Sequence, residues 1–305
     1  MKNSKMVLLS VLMIVAVFSM SLVIPVHAGS IIIVPSPASS IQDAINSAMP
    51  GDTVLVLAGT YDQAVIVDKS ITLKGDGAIL RPVTASLQGY SVIYITSDGV
   101  AVENFEIDGT GKAVYYGIYG FNVKHVTISR VVVHDMTNNE DDVAGVGILL
   151  FGWGQGISNC VIDRTTVYNT PRMGIFIGGM ESSGMYKWLL SDSNVISRSN
   201  VYNTWIGPTN DGGGAVQING ALNCIITGNN IHHNTIGWFY VGLYIYGSAE
   251  GNVIERNNLH HNTIGYVAWY DGSWVIFGTH TPMAPTLVKN NIHNNQYFDP
   301  NGWVF

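Results

Sequence analysis

Short apolar runs, three to five residues long and bounded by Gly, Asn or Arg, follow one another along most of the chain in a fixed order. One phrase sets the register. "RVVVHDMT" at Arg130 is followed by "RTTVYNTP" at Arg164, "RSNVYNTW" at Arg198, "GNNIHHNT" at Gly228, "RNNLHHNT" at Arg256 and "KNNIHNNQ" at Lys289. The apolar residue of each, namely Val133, Val167, Val201, Ile231, Leu259 and Ile292, recurs at intervals of 34, 34, 30, 28 and 33 residues, and "FEIDG" at Phe105 reads as an earlier member. A second run opens with Gly: "GIYG" at Gly117, "GILLFG" at Gly147, "GIFIGG" at Gly174, "GAVQING" at Gly214 and "GLYIYG" at Gly242. A third precedes the phrase, as in "CVID" at Cys160, "NVIS" at Asn194, "CIIT" at Cys224 and "NVIE" at Asn252. Runs this short, three to a unit, are too brief for helices. They predict an all-β solenoid, a parallel β-helix of about seven or more three-stranded coils.

Stacking turns sequence columns into spatial columns about 4.8 Å apart. The Asn column before the phrase strand (Asn200, Asn230, Asn258, Asn291) is expected to occupy a left-handed turn and to hydrogen-bond along the stack. His134, Tyr168, Tyr202, His232, His260 and His293 form an outward column, so ring stacking accounts for the histidines without a metal. Metal handling through His232, His233, His260, His261 and His293 is the weakest functional reading. Cys160 and Cys224 share a column with Asn194 between them. Two coils exceed the roughly 7 Å Cα limit of a disulfide, which predicts two free, buried thiols.

One stretch breaks the β pattern. "SSIQDAINSAMPGD" carries Ser40 as N-cap, Asp43 three residues on, and Ile41, Ala44, Ile45 and Ala48 on one face, which predicts a capping helix over 40–50. The aromatic tail 296–305 is expected to close the other end. Residues 1–28, with Lys2 and Lys5 before an apolar run and Val26-His27-Ala28 as a cleavage pattern, read as a secretory signal, with an uncleaved signal anchor as the one route to a membrane. Residues 29–305 then form a single domain.

The segment Ser40–Gly77, "SIQDAINSAMPGDTVLVLAGTYDQAVIVDKSITLKGDG", resembles the opening coil of the pectate lyase-like superfamily of right-handed β-helix proteins. That group includes lyases, polygalacturonases, pectin methylesterases and copper-site maturation proteins. With the repeats, the resemblance spans most of residues 40–295. It implies the fold, and it implies a cleft along the Gly-initiated strands; the matched residues build scaffold and are silent on activity.

Composition adds the compartment and excludes one partner class. Charged residues are 11% of the chain against roughly 25% in an average soluble domain, while Gly and Asn abound, a profile that suits a secreted or cell-surface protein. The net charge of −7 becomes −9 without Lys2 and Lys5, so a nucleic-acid partner is not expected.

Chemistry is expected on the loops that vary in length beside the Gly-initiated strands. They bring Asp141, Asp142, Arg172 and Asp211 to one edge as candidate catalytic groups. Trp205, Trp238, Tyr240, Trp269, Tyr270 and Asp271 join them as candidate substrate-binding groups. Strand alternation places Tyr119, Leu149, Phe176, Gln217 and Tyr244 outward beside them. Such a groove suits an extended polysaccharide, because sugar rings stack on aromatic faces and carboxylates and amides bind hydroxyls. Arg172 between aspartates fits a lyase, with Ca2+ as the cofactor that reading admits; paired carboxylates two coils apart fit a glycoside hydrolase. The polygalacturonase Gly-His-Gly and Arg-Ile-Lys motifs are absent, and catalysis stays open. The alternatives are a non-catalytic surface or adhesive β-helix, loop aromatics that only seal the coils, and Asp141-Asp142 as a solvated turn.

Overall fold

The computed structural model describes residues 29–35, 40–82, 90–111, 114–137, 145–182, 188–204, 215–234, 241–246, 251–262, 264–270, 273–275 and 286–294. Side chains are described for these except within 241–246, 264–270 and 273–275, and at 188, 286–288 and 292.

Strands stack in parallel on three faces, and each repeated run of the sequence is one strand per coil. The phrase strands pair in register from Ile107 through Val133, Val167, Val201, Ile231 and Leu259 to Ile292. The runs before them pair as Ile128, Ile162, Ile196, Ile226, Ile254 and Leu287. In the early coils one long strand, Thr72–Leu80 or Ala101–Asp108, bends to serve both faces. The Gly-initiated runs are the long strands of the third face, from Val65–Val67 and Ser91–Ile95 through Tyr116–Phe121, Val146–Trp153, Met173–Met180 and Val216–Asn219 to Val241–Tyr246 and Ile264–Tyr270. Their inward residues Ile93, Ile118, Ile148, Ile175 and Val216 are fully buried and meet the apolar columns of the other faces.

The sharp corners come from single residues in the left-handed region, spaced five apart. Asn159, Arg164 and Asn169 have φ of 56°, 50° and 53°, and Ser193, Arg198 and Asn203 repeat them one coil on at 56°, 50° and 52°. Asn and Gly adopt this region most readily, and several positions carry them. The expected left-handed Asn column is displaced by two residues. Asn200, Asn230, Asn258 and Asn291 lie in strands, and the left-handed position belongs to the Arg, Gly or Lys that opens each phrase. Their hydrogen bonding is as expected: Nδ2 of Asn230, Asn258 and Asn291 each donates to the Oδ1 of the coil before, over 3.0, 2.9 and 2.9 Å. A second Asn ladder, Asn229, Asn257 and Asn290, runs beneath and caps backbone N–H groups at the corner.

The corner residue before the short strand completes the pattern. Cys160, Asn194, Cys224 and Asn252 form one inward column, with Cys160 N–H donating to Asn194 Oδ1 at 3.0 Å and Cys224 N–H to Asn252 Oδ1 at 2.8 Å. Asn194 thus separates the two thiols, which are free and buried.

Helix α1 spans Ile41–Ser47 and lays Ile41, Ala44 and Ile45 on the end of the coil stack. Ser40 Oγ accepts from Asp43 N–H at 3.0 Å, the expected N-cap. The helix stops earlier than predicted because Ala48 turns extended and joins the core. Lys69 Nζ then donates to the carbonyls of Ile45, Asn46 and Ala48, placing a cation on the negative end of the helix. Among the described residues no helix is long and apolar enough to cross a membrane. The signal segment 1–28 and the tail 296–305 lie outside the described residues.

Candidate functional site: the outer face of the long strands

The long strands place one residue of each coil in a single outward column, Tyr94, Tyr119, Leu149, Phe176 and Gln217, and Tyr244 holds the same register position in the next coil. This is the column that strand alternation predicts. It is positioned by a close approach at the strand start. A Cβ at Gly117 would stand 2.5 Å from Val133 Cγ1 and 2.6 Å from the Gly147 carbonyl oxygen, and Gly147 and Gly174 meet the same obstruction from Val167 and Val201. Only glycine lets the long strand approach the phrase strand there.

The first half of the column is aromatic. Tyr119 lies 5.3 Å from Tyr94 and 4.9 Å from Tyr116 between ring centroids, with Phe121 at 5.9 Å. Tyr90 stacks on Tyr115 at 4.5 Å, and Phe151 contacts Trp153 at 6.5 Å. Trp153 is 46% exposed and Tyr90 49% exposed, while Tyr94, Tyr116, Tyr119, Phe121 and Phe151 are half-buried, so the face offers flat rings to a ligand. Burial raises the phenol pKa of Tyr94, Tyr116 and Tyr119. All three stay protonated hydroxyl donors across the ordinary pH range. The sequence shows this cluster in "SVIYI" and "VYYGIYGF", whose tyrosines alternate with core residues; only Tyr119 is singled out by the strand pattern.

Further along, the face changes character. Phe176 packs with Val146 and Met173 as a small external apolar cluster, flanked by Tyr116, Leu149 and Phe151. Phe176 and Gln217 are each only 5% exposed, which corrects their expected place on an open surface. Gln217 Nε2 donates to Asn219 Oδ1 at 2.8 Å, an amide pair under cover. Arg172 follows Pro171, its N–H donating to the Gly145 carbonyl at 3.2 Å, and its charge acts on the Tyr116 phenol. The guanidinium therefore stands beside the aromatic face. Asp141, Asp142, Trp205, Asp211, Trp238, Tyr240 and Asp271 lie outside the described residues, as do the side chains of Tyr244, Trp269 and Tyr270.

A polar cluster that the sequence does not advertise sits at the base of the outward ring column. Ligand atoms of Asp108, His134 and Asp135 lie within 4.8 Å of one another. Their partners account for the grouping. Asp108 accepts from Arg81 Nε at 2.9 Å and from Thr110 N–H at 3.0 Å, and Asp135 accepts from Asn169 and pairs with His134 Nδ1 at 2.7 Å. Burial pushes the Asp108 carboxyl up, but the bonds from Thr110 and Arg81 prevail and hold it below the usual range. Asp108 meets the adjacent His134 and Asp135 only through the register, 26 and 27 positions away in sequence.

Coils of three parallel strands, with Asn ladders at the corners and a long aromatic strand face, define a right-handed parallel β-helix protein. Residues 153–302 match the family described as the right handed beta helix region. A cell surface glycoprotein of Methanothermus fervidus is 34% identical over 99 residues, 32% of this chain and 16% of that relative, so the match spans about a sixth of its length. Among solved structures, an alginate lyase from Paenibacillus sp. str. FPU-7 is 18% identical with a TM-score of 0.49, covering 86% of this chain and 99% of the other. The pectate lyase Pel9A is 14% identical with a TM-score of 0.47, over 90% of this chain and 80% of the other.

Proposed function

We propose that the protein binds an extended polysaccharide along the outer face of its long strands, at the cell surface. The supporting observation is the run of rings around Tyr119. They lie on successive coils of a rigid sheet, partly exposed, with un-ionised hydroxyls beside them. A repeating ligand running along the stack meets a repeating surface, with apolar ring faces for sugar rings and hydroxyls for their polar edges. The 99-residue likeness to a cell surface glycoprotein supports the location. The Arg172 cation beside the face favours an acidic polymer. Cleavage of that polymer, with Arg172, Asp141, Asp142 and Asp211 as the catalytic groups, is the enzymatic form of the same reading.

A panel of acidic and neutral glycans, scored for binding and for cleavage with and without Ca2+, tests it. Binding to at least one polymer is expected, with Tyr119→Ala and Tyr94→Ala each weakening it roughly 2- to 10-fold, the scale of one aromatic contact. Arg172→Gln should weaken acidic polymers selectively. Wild-type protein that binds nothing on the panel, or binds it equally well without Tyr119, overturns the proposal. Bond cleavage abolished by Arg172→Gln would establish the enzymatic form.

A further inference from the structure

The outward ring column stacks as expected. His134, Tyr168, Tyr202, His232, His260 and His293 follow at 4.9, 5.0, 5.1, 4.9 and 5.2 Å with planes within 8° of parallel. Stacking alone does not explain the residue beside it. His233 and His261 sit at the left-handed corner, each with φ of 53°. That turn sets each ring at 87° and 85° to its neighbour in the same coil. As a result Nδ1 of His232 faces Nδ1 of His233 at 2.7 Å, and Nδ1 of His260 faces Nδ1 of His261 at 2.8 Å. Each pair forms within a coil, so only a third donor has to reach across the coil spacing.

The outer Asn ladder fixes which nitrogen carries the proton. Oδ1 of Asn200 accepts from Asn230 Nδ2, and Oδ1 of Asn230 accepts from Asn258 Nδ2. Oδ1 of Asn200 lies 3.1 Å from His232 Nε2, and Oδ1 of Asn230 lies 3.2 Å from His260 Nε2. Each Nε2 must therefore be the N–H donor, which leaves each Nδ1 with a lone pair aimed at its partner. A ring N–H held by a carbonyl on its far side is the usual support of a metal-binding histidine.

We infer that His233, His260 and His261, whose ligand atoms lie within 4.8 Å of one another, form a surface chelate for a divalent transition metal of tetragonal preference, Cu2+ or Ni2+. Nδ1 of His260 and of His261, 2.8 Å apart and each about 2.0–2.1 Å from one ion, would subtend roughly 80–90°. That angle suits square-planar or tetragonal coordination; a tetrahedral ion needs its nitrogens about 3.3 Å apart. His260 and His261 provide the bite and His233 the third donor from the coil before. In the metal-free pair the corner histidine donates its Nδ1–H to its partner; on binding, that proton moves to its Nε2.

Calorimetric titration of the purified protein with Cu2+, Ni2+ and Zn2+ tests the inference, together with electron paramagnetic resonance of the Cu2+ form. Expected are Cu2+ binding tighter than about 10 µM, an axial signal with coupling to at least two imidazole nitrogens, and a loss of at least about tenfold in His233→Ala/His261→Ala. That variant keeps the stacked column. His125→Ala, at a different corner, should bind as wild type does. Carbethoxylation mapped on the wild-type protein should show Cu2+ shielding His233 and His261, a readout independent of any variant's folding. No binding below about 1 mM, tighter Zn2+ than Cu2+ binding, or labelling of His233 and His261 unchanged by Cu2+ overturns the inference.

Discussion

Gly147 shows how a single residue controls this fold. Its strand approaches the phrase strand so closely that a methyl group would enter the space of Val167 and the Gly174 carbonyl. Gly147→Ala is expected to destabilise the protein by about 1–3 kcal/mol, the usual cost of overpacking, measurable as a lower urea midpoint. The two thiols give a second residue-scale expectation. Burial raises the Cys160 pKa to about 11 and that of Cys224 in the same direction, so neither ionises near neutrality. A thiol-disulfide reagent should label neither in the native protein and both in denaturant without reductant; a failure to label the unfolded chain would reveal a disulfide. The separation of the cysteines was legible from their column. The need for Gly147 was visible as a repeated letter, but its cause is the neighbouring strand, which no local pattern names.

At the scale of the ladder, each polar column is a chain of shared hydrogen bonds, and breaking it strands buried donors. Asn257 accepts from the backbone and side chain of Asn229 through one Oδ1, and its Nδ2 donates to the Ile226 carbonyl at 2.8 Å. Asn257→Ala should therefore cost about 1–3 kcal/mol, the penalty for buried groups left unpaired, and more than the same change at the outward Asn258. The imidazole column responds to acid. His232 takes up a proton near pH 6.5 in the unfolded chain and only near 4 in the folded one. Between these values the unfolded state holds more protons, so acid favours unfolding. This contribution is fully present above about pH 6.5 and is lost as pH falls towards 4. Unfolding midpoints followed from pH 7 to 4 should fall less steeply in His232→Gln than in wild type. Period and alternation exposed both columns. The shift of the left-handed corner from Asn200 to Arg198 was hidden, because Arg is no turn former by preference and only the geometry of the stack imposes φ of 50° there.

For the whole molecule, the open end of a coil stack is a sheet edge ready to pair with another copy. Helix α1 covers it with Ile41, Ala44 and Ile45, all fully buried. Ile45→Asp places an unpaired charge beneath the helix, so early aggregation is expected; light scattering during storage should rise well above wild type, whereas Asn46→Asp on the exposed side should not change it. The same scale organises function. The solenoid sets rings from three successive coils into one surface, and repeats one corner into paired imidazoles.

The sequence by itself determined the coil repeat, its register, the inward and outward columns, the capping helix and the freedom of the thiols. These follow from periodicity, which records burial at each position. Only the tertiary structure decided which outward residues are open. Tyr119 is half-buried among rings while Phe176 and Gln217, in the same column, are covered. It also decided that His232 and His233 meet nitrogen to nitrogen rather than merely standing in line. Alternation says which way a side chain points, and only packing and the corner dihedral say what it meets there.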